Sequence, residues 1–422
     1  MDNQSGDIVI PDGTTHIGDS ASEAYTQATS VIIPDSVTHI GNNAFSRCKN
    51  LTRVILPNNL TRIGEHAFAY CIHLTSITIP ASVTHIGDSA FYCCFLLARI
   101  TILDCVTFIG SGAFNKCLSL TAITVAPANP TYADIDGILF SKDLTRLIRC
   151  PAGKTGSLSI PDSTTHIGEH ALEDCVGLTA ITVAPANPTY ADIDGILFSK
   201  DLTRLILCPT QKAGLFVIPD GVIHIEDHAF ENCSVLTSIT FPNSLTRIGD
   251  SVFNRCSALT SVTLPNSLTR IGNSAFKECY GLASVTLPAG LTHISDSMFT
   301  GCSSLTSVRI PASVTHIGTF AFCGCALINV DIPDCVTHIG SCAFNGCALT
   351  SVTIPDGVTH IGSCAFYQCF NLINVSLPAS LTHIEAFAFA DCNSLTRVDI
   401  PASVTYIGEH AFAEGVTIIR KS

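Results

Sequence analysis

Positive charge is scarce in this sequence. Lysine and arginine total 21 against 34 aspartates and glutamates, a formal net charge of −13 over 422 residues. Such a chain has no electrostatic reason to bind nucleic acid or to insert at an anionic membrane. Charge of either sign is thin, at 13% of residues, while 47% are hydrophobic. That balance excludes a disordered composition and leaves ample apolar material for a large core. Long apolar runs are missing too. None approaches the roughly 20 residues needed to span a bilayer. The segment "MDNQSGDIVIPDG" has neither a basic region nor an apolar run, so no secretory signal is read from it, and "GVTIIRKS" carries no anchor. The compartment expected by default is the cytoplasm. The alternative is the cell surface, or secretion by an unconventional route.

Catalytic signatures are also lacking. There is no G-x-S-x-G elbow, no H-E-x-x-H helix, no phosphate-binding loop and no dinucleotide fingerprint. Neither an enzyme activity nor a cofactor is expected.

What is present in excess is cysteine, 21 residues in all, and a phrase that keeps returning. "VTHIGDSAF" at 83–91 comes back as "VTHIGTFAF" at 314–322 and as "VTHIGSCAF" at 336–344 and 358–366. The proline of "IP" serves as a ruler: Pro11, Pro34, Pro57, Pro80, Leu103 in its place, Pro161, Pro219, Pro242, Pro265, Pro288, Pro311, Pro333, Pro355, Pro378 and Pro401. Most intervals are 23 residues, two are 22 and two are 58. A fixed period in this range specifies a solenoid in which each coil is stabilised by its neighbours. The ruler predicts about 15 coils.

One coil can be read from its pattern. In "LTSVTLP", 259–265, Leu259, Val262 and Leu264 face inward and Thr260, Ser261 and Thr263 face water. Proline ends the strand. "SLTRIG" or "SVTHIG" makes a second extended pass, closed by a glycine free to take positive φ. "DSAF" followed by cysteine fits a short helical turn whose polar start suits an N-terminus. Stacking then builds ladders. One is phenylalanine, from Phe45 to Phe412, broken at Leu172. A second, fourteen residues after each proline position, is cysteine, including Cys48, Cys71, Cys256, Cys279 and Cys392. A linear column of thiols does not converge on a metal, so buried small hydrophobes are expected, and the thiol richness favours a reducing compartment. Neighbouring rungs lie within the reach of a disulfide, and Cys342 with Cys364 is the pair to check.

Residues 120–148 and 178–206 are identical, "LTAITVAPANPTYADIDGILFSKDLTRLI". Identity over 29 residues points to a recent duplication. Within each copy a turn-rich stretch, "PANPTYADIDG", precedes a strand, a turn at "KD" and a second strand, predicting a small hairpin that projects from the solenoid. The insertions span about 126–151 and 184–209. "DIDG" resembles part of a calcium loop. It lacks the third acidic step and the closing glutamate, so turn chemistry is the reading and no metal is expected.

The residue five after each proline position is usually histidine, as at His85. Arg62, Arg247 and Arg270 share that place. Arginine is rarely buried, so the column is expected at the surface, multiplied by repeat copying. His293, His316, His338, His360 and His383 occupy consecutive coils. A straight row is poor geometry for a metal. Protonation below about pH 6 would stack positive charge along one edge, so this row is a candidate pH-sensitive column.

"LTSVTIPDGVTHIGSCAF" at 349–366, followed by "YQC", resembles the BspA-type, or Treponema-type, leucine-rich repeat, and "NPTYADIDGILFSKDLTRLI" resembles an insertion common in that family. The resemblance runs from about residue 8 to 418. It implies a right-handed leucine-rich-repeat solenoid, β-rich with short helical turns, here read as a single domain over 1–422. It also implies binding to macromolecules. Many members are surface proteins that adhere to host matrix proteins or to other cells, whereas this chain shows no signal or anchor. The expectation is therefore a non-enzymatic protein-interaction module, with a surface adhesin as the alternative. The strand face, which such repeats usually curve inward, is the expected binding surface. Its Thr/Ser columns, as at Thr237, Ser238, Thr260 and Ser261, are broken by Arg53, Arg99, Arg309, Asp331, Arg397 and Asp399. A charge on such a face can specify a partner. The two hairpins are a second candidate surface, and self-association through the solenoid ends is a further expectation.

Overall fold

The computed structural model describes residues 6–421, in two compact units, Met1–Tyr190 and Ala191–Ser422. Each is a stack of short parallel strands joined by turns. The helix among the described residues is one 3-10 turn, Ala21–Ala24.

A coil from the second unit shows how the pattern works. Ser261–Thr263 pairs in parallel with Ser284–Thr286, placing Val262 beside Val285. Leu259, Val262 and Leu264 are buried, while Thr260, Ser261 and Thr263 are exposed, as period-two alternation requires. After Pro265 the chain turns, and the Leu268 N–H donates to the Pro265 carbonyl at 3.1 Å. Arg270–Ile271 then pairs with Arg247–Ile248 of the preceding coil.

The corner that follows differs from the expected helical turn. It is an open turn whose hydrogen bonds run between coils. In the first unit the Phe68 N–H donates to the Ala90 carbonyl at 2.8 Å and the Phe91 N–H to the Ala113 carbonyl at 2.8 Å. The acidic residue at its start caps no helix. The Asp88 carboxylate accepts the Ser111 N–H of the next coil at 2.8 Å. The glycine before it serves another purpose than positive φ. A Cβ on Gly64 would sit 2.6 Å from the Gly41 carbonyl carbon, so glycine is required by close backbone approach. Positive φ falls instead on polar residues within the turn, such as Asn43 and Ser89.

The ladders form as the spacing predicts. Phe45, Phe68, Phe91 and Phe114 stack at centroid distances of 5.2, 5.5 and 5.8 Å. In the second unit Phe253, Phe276 and Phe299 do so at 5.2 and 5.6 Å. The cysteine column is buried throughout, and all 21 cysteines are free thiols. Buried thiols donate to the phenylalanine carbonyl of the preceding coil, as from Cys94 to Phe68 at 3.2 Å and from Cys279 to Phe253 at 3.0 Å.

The insertions correct the sequence reading. The two units together hold about 18 turns rather than fifteen, and each long interval hides one of the additional coils. Ala126 stands where the proline would, its N–H donating to the Ile102 carbonyl at 2.8 Å. The first strand of the hairpin, Tyr132–Ile135, lies inside the stretch read as turn. It pairs antiparallel with Ile138–Ser141 across Asp136 (φ 51°) and Gly137 (φ 76°), two left-handed residues as a type I′ turn requires. A third strand, Arg146–Arg149, takes the rung of a His–Ile step and pairs with His166–Ile167. The hairpin does not project. Ile138, Leu139 and Phe140 are all buried, since three consecutive apolar side chains need cover on both faces. In the second unit Ile196–Ser199 and Arg204–Leu207 repeat this arrangement against His224–Ile225.

Candidate interaction surfaces

The strand face carries the expected charges in different rows. In the first unit, Arg53 is exposed between Ser30 and Ser76 of the flanking coils. Arg99 is exposed and lies beside Ala122. Both stand four residues before the proline position, as do Ser238, Ser261 and Arg397. In the second unit, Thr237, Thr260 and Ser261 are exposed and Ser238 is half-buried. Arg309 and Asp331 occupy a different row, two residues before proline, where a parallel bridge sets them side by side. Asp399 shares that row but is engaged within the chain. Its carboxylate accepts from Arg397 at 3.1 Å and lies 3.4 Å from Lys421 Nζ. The Arg397 hydrogen bond is the main cause that holds its pKa below the usual carboxylate value. The structure thus brings together Arg309 with Asp331 and Arg397 with Asp399. The remaining candidates are spread along the face.

The histidine column is a stack of rings. In the second unit His293 and His316 are 4.7 Å apart, His316 and His338 4.4 Å, and His360 and His383 4.3 Å, all with near-parallel planes. Each sits beside the threonine before it. Thr315 Oγ1 is 2.8 Å from His316 Nδ1 and also donates to the Thr292 carbonyl at 3.2 Å. A hydroxyl has one proton. That one proton serves either the carbonyl or Nδ1, so the hydroxyl couples the ring to the coil before it. Thr337 with His338 and Thr382 with His383 repeat the arrangement. Burial, and then the charge of His338 and His293, push the His316 pKa down. Among the described residues no group of three or more His, Cys, Asp or Glu side chains converges in a metal-holding arrangement.

Two sets of polar residues escaped the sequence reading. Asn129 and Asn187 are fully buried inside the stretch read only as turn-rich. Arg149 is buried with part of its guanidinium unpaired. The available signal for Arg149 was the point where the duplicated copies diverge: after 29 identical residues, the first copy continues with Arg149 and the second with Leu207.

A family model described as BspA type leucine rich repeat region, six copies, matches residues 3–135, 152–211, 208–328 and 315–420. No curated protein matches the chain. Among solved structures, a leucine rich cell surface protein from Faecalibacterium prausnitzii is 27% identical, with 98% of this chain and 89% of that one covered and a TM-score of 0.48. A leucine-rich repeat protein from Bacteroides ovatus is 26% identical, with 99% and 94% covered and a TM-score of 0.46. No helix among the described residues is long and apolar enough to cross a membrane.

Proposed function

The chain belongs to the BspA-type leucine-rich-repeat family, and from that premise we propose that it is a non-enzymatic module that binds a protein partner on its strand face. The observation that carries this reading is the set of exposed charges that interrupt the Thr/Ser rows: Arg53 and Arg99 in one unit, Arg309 beside Asp331 in the other. Thr and Ser are what copying a repeat supplies, and they keep a half-exposed sheet soluble. A charge set into such a row departs from the copied pattern and presents a feature that a complementary partner reads. The strands are held by pairing to the coils on either side, so little ordering cost accompanies binding.

The test uses photo-crosslinking residues placed at Thr260 and Ser261 on the strand face and at Ser274 in the corner turn. A partner captured from the strand positions alone supports the reading, and equal capture from Ser274 sinks it. Charge reversal of Arg309 should then weaken that complex by about tenfold, or ~1.4 kcal/mol. Whether the partner is met inside the cell or at its surface is decided by labelling intact source cells with a membrane-impermeant biotin reagent. Labelling places the protein at the surface, and protection places it inside.

A further inference from the structure

In the first unit the corner turns stack without a break until the first insertion. There the Cys150 N–H donates to the Ala171 carbonyl at 2.8 Å, as the Phe45 N–H does to the Ala67 carbonyl at 2.7 Å. Cys150 therefore stands in the phenylalanine column. From Leu147, the residue paired with Ile167, that column is reached three residues on, against five from Ile40 to Phe45. The inserted coil is too short to form a corner. The turn at 110–113 and the turn at 168–171 have nothing of that kind between them, and a cleft of about 390 Å³ opens there.

Two features of its lining are electropositive. The first is backbone. Ser89 and Phe91 donate their N–H groups to Ser111 and Ala113 of the next coil at 2.9 and 2.8 Å. Gly112 and Phe114 are the next residues in those columns, and with the corner missing no backbone carbonyl among the described residues accepts from them. The second is Arg149, only 4% exposed. Its Nη1 donates to the His170 carbonyl, but Nε and Nη2 are buried without a partner. No ion pair joins it to a carboxylate among the described residues, although Glu169 also lines the cleft. A buried guanidinium left two donors short is costly. Nε–H and Nη2–H point the same way along one edge of the guanidinium, the edge that grips a carboxylate with two parallel hydrogen bonds. Arg146, Ser111, Asn115 and Tyr132 supply further polar groups around the cleft. The second copy has Leu207 at this strand position, opposite Leu197 as Arg149 is opposite Leu139. The fold thus accepts an apolar residue here, and the arginine is not needed to build the hairpin.

We propose that the cleft beside the first insertion is a carboxylate-binding site, with Arg149 as its fork, its side chain turning the buried Nε–Nη2 edge into the cleft on binding. The ligand is a small free carboxylic acid or the C-terminal carboxylate of a peptide. The site is independent of the strand-face reading.

The full chain, with isotopically labelled arginine, is titrated with acetate at constant ionic strength. One arginine Nε–H resonance should shift saturably, and the melting temperature should rise with acetate. Arg149→Leu, copying the second insertion, should fold, lose that resonance and lose the acetate-dependent rise. Arg149→Lys keeps the charge without the fork and should bind acetate about tenfold more weakly or worse. No saturable shift in the wild-type chain, or an unchanged acetate effect in Arg149→Leu, overturns the site. Tighter binding of inorganic phosphate than of acetate overturns the carboxylate assignment. Two short peptides, identical except for a free or amidated C-terminus, separate the sources. Preference for the free peptide over acetate assigns a chain terminus, and no gain over acetate assigns a small acid.

Discussion

Asn129 uses all of its hydrogen-bonding capacity while 0% exposed. Its amide nitrogen donates to the Leu103 and Val106 carbonyls at 2.7 and 3.0 Å. Its oxygen accepts the Thr131 and Tyr132 N–H groups at 2.9 and 2.8 Å. One side chain therefore ties the start of the hairpin to the turn of the coil before it. Asn187 repeats the pattern on Pro161 and Thr164, accepting from Thr189 and Tyr190. Replacing Asn129 by Ala strands two carbonyls and two N–H groups in the interior. The contacts to the Val106 carbonyl and from the Tyr132 N–H are the fully buried two, so at about 1–3 kcal/mol for each buried group left unpaired the loss in urea denaturation should be at least about 2 kcal/mol. Asn129→Asp retains the acceptors and loses the donors, so it should also destabilise. A loss within experimental error for Asn129→Ala would mean that water replaces the amide. The composition around Asn129 announced a turn, but its donors reach back 23 and 26 residues. A local pattern carries no record of such partners. Asp134 stands in the first hairpin strand and not in the turn itself: its carboxylate accepts the Gly137 N–H at 3.3 Å and, nine residues back, the Val125 N–H at 2.7 Å.

Elements were legible wherever translation by one coil preserves the environment. The strand alternation, the phenylalanine ladder and the histidine column all follow from that rule. The corner did not, because a run of Asp, Ser, Ala and Phe suits a helical start as well as an inter-coil turn, and only the next coil's carbonyls decide between them. The histidine column is where this translational order has a pH consequence. His316 is sandwiched between His293 and His338, and burial first, then their charge, lowers its pKa from the ordinary 6.5. A folded-state value below the unfolded one means that the unfolded chain takes up the proton more readily. The stability is complete above the unfolded value and is lost as pH falls through it. Melting followed by circular dichroism should therefore show a lower transition at about pH 5 than at about pH 7.5. His316→Phe should flatten that dependence. Phenylalanine is tolerated in this column, since Phe108 packs on His85 at 5.7 Å, and it cannot be protonated. An unchanged transition temperature across this range in the wild-type chain would remove the column as a pH-sensitive device.

Over the whole molecule, the thiols report how far each coil is closed. Sixteen of the cysteines are buried, Cys323, Cys342 and Cys364 are half-buried, and Cys105 and Cys335 are exposed. The buried ones are protected twice. Solvent is excluded from the sulfur, and burial pushes the pKa of Cys117 and of Cys279 up to about 12 from 9.0. At about pH 8 a shift of that size lowers the reactive thiolate about 1,000-fold. Cys342 is raised less, to about 11, by burial first and then by Cys364. Alkylation followed by peptide mass spectrometry should modify Cys105 and Cys335 rapidly in the native chain and Cys342 more slowly. The ladder should react only in denaturant. Rapid native labelling of Cys279 would contradict a closed stack at that coil. Cys150 and Cys208 make the sharper case. They fall outside the fourteen-residue rule, because the inserted coils shift register and place them in the phenylalanine column, where the Cys208 N–H donates to the Ala229 carbonyl at 2.7 Å. If the inserted coils are as closed as the regular ones, both should label with the kinetics of Cys279. If the hairpins stood away from the core, both would label early, as Cys105 does. The same experiment therefore reads the regular coils and the two irregular ones on one scale.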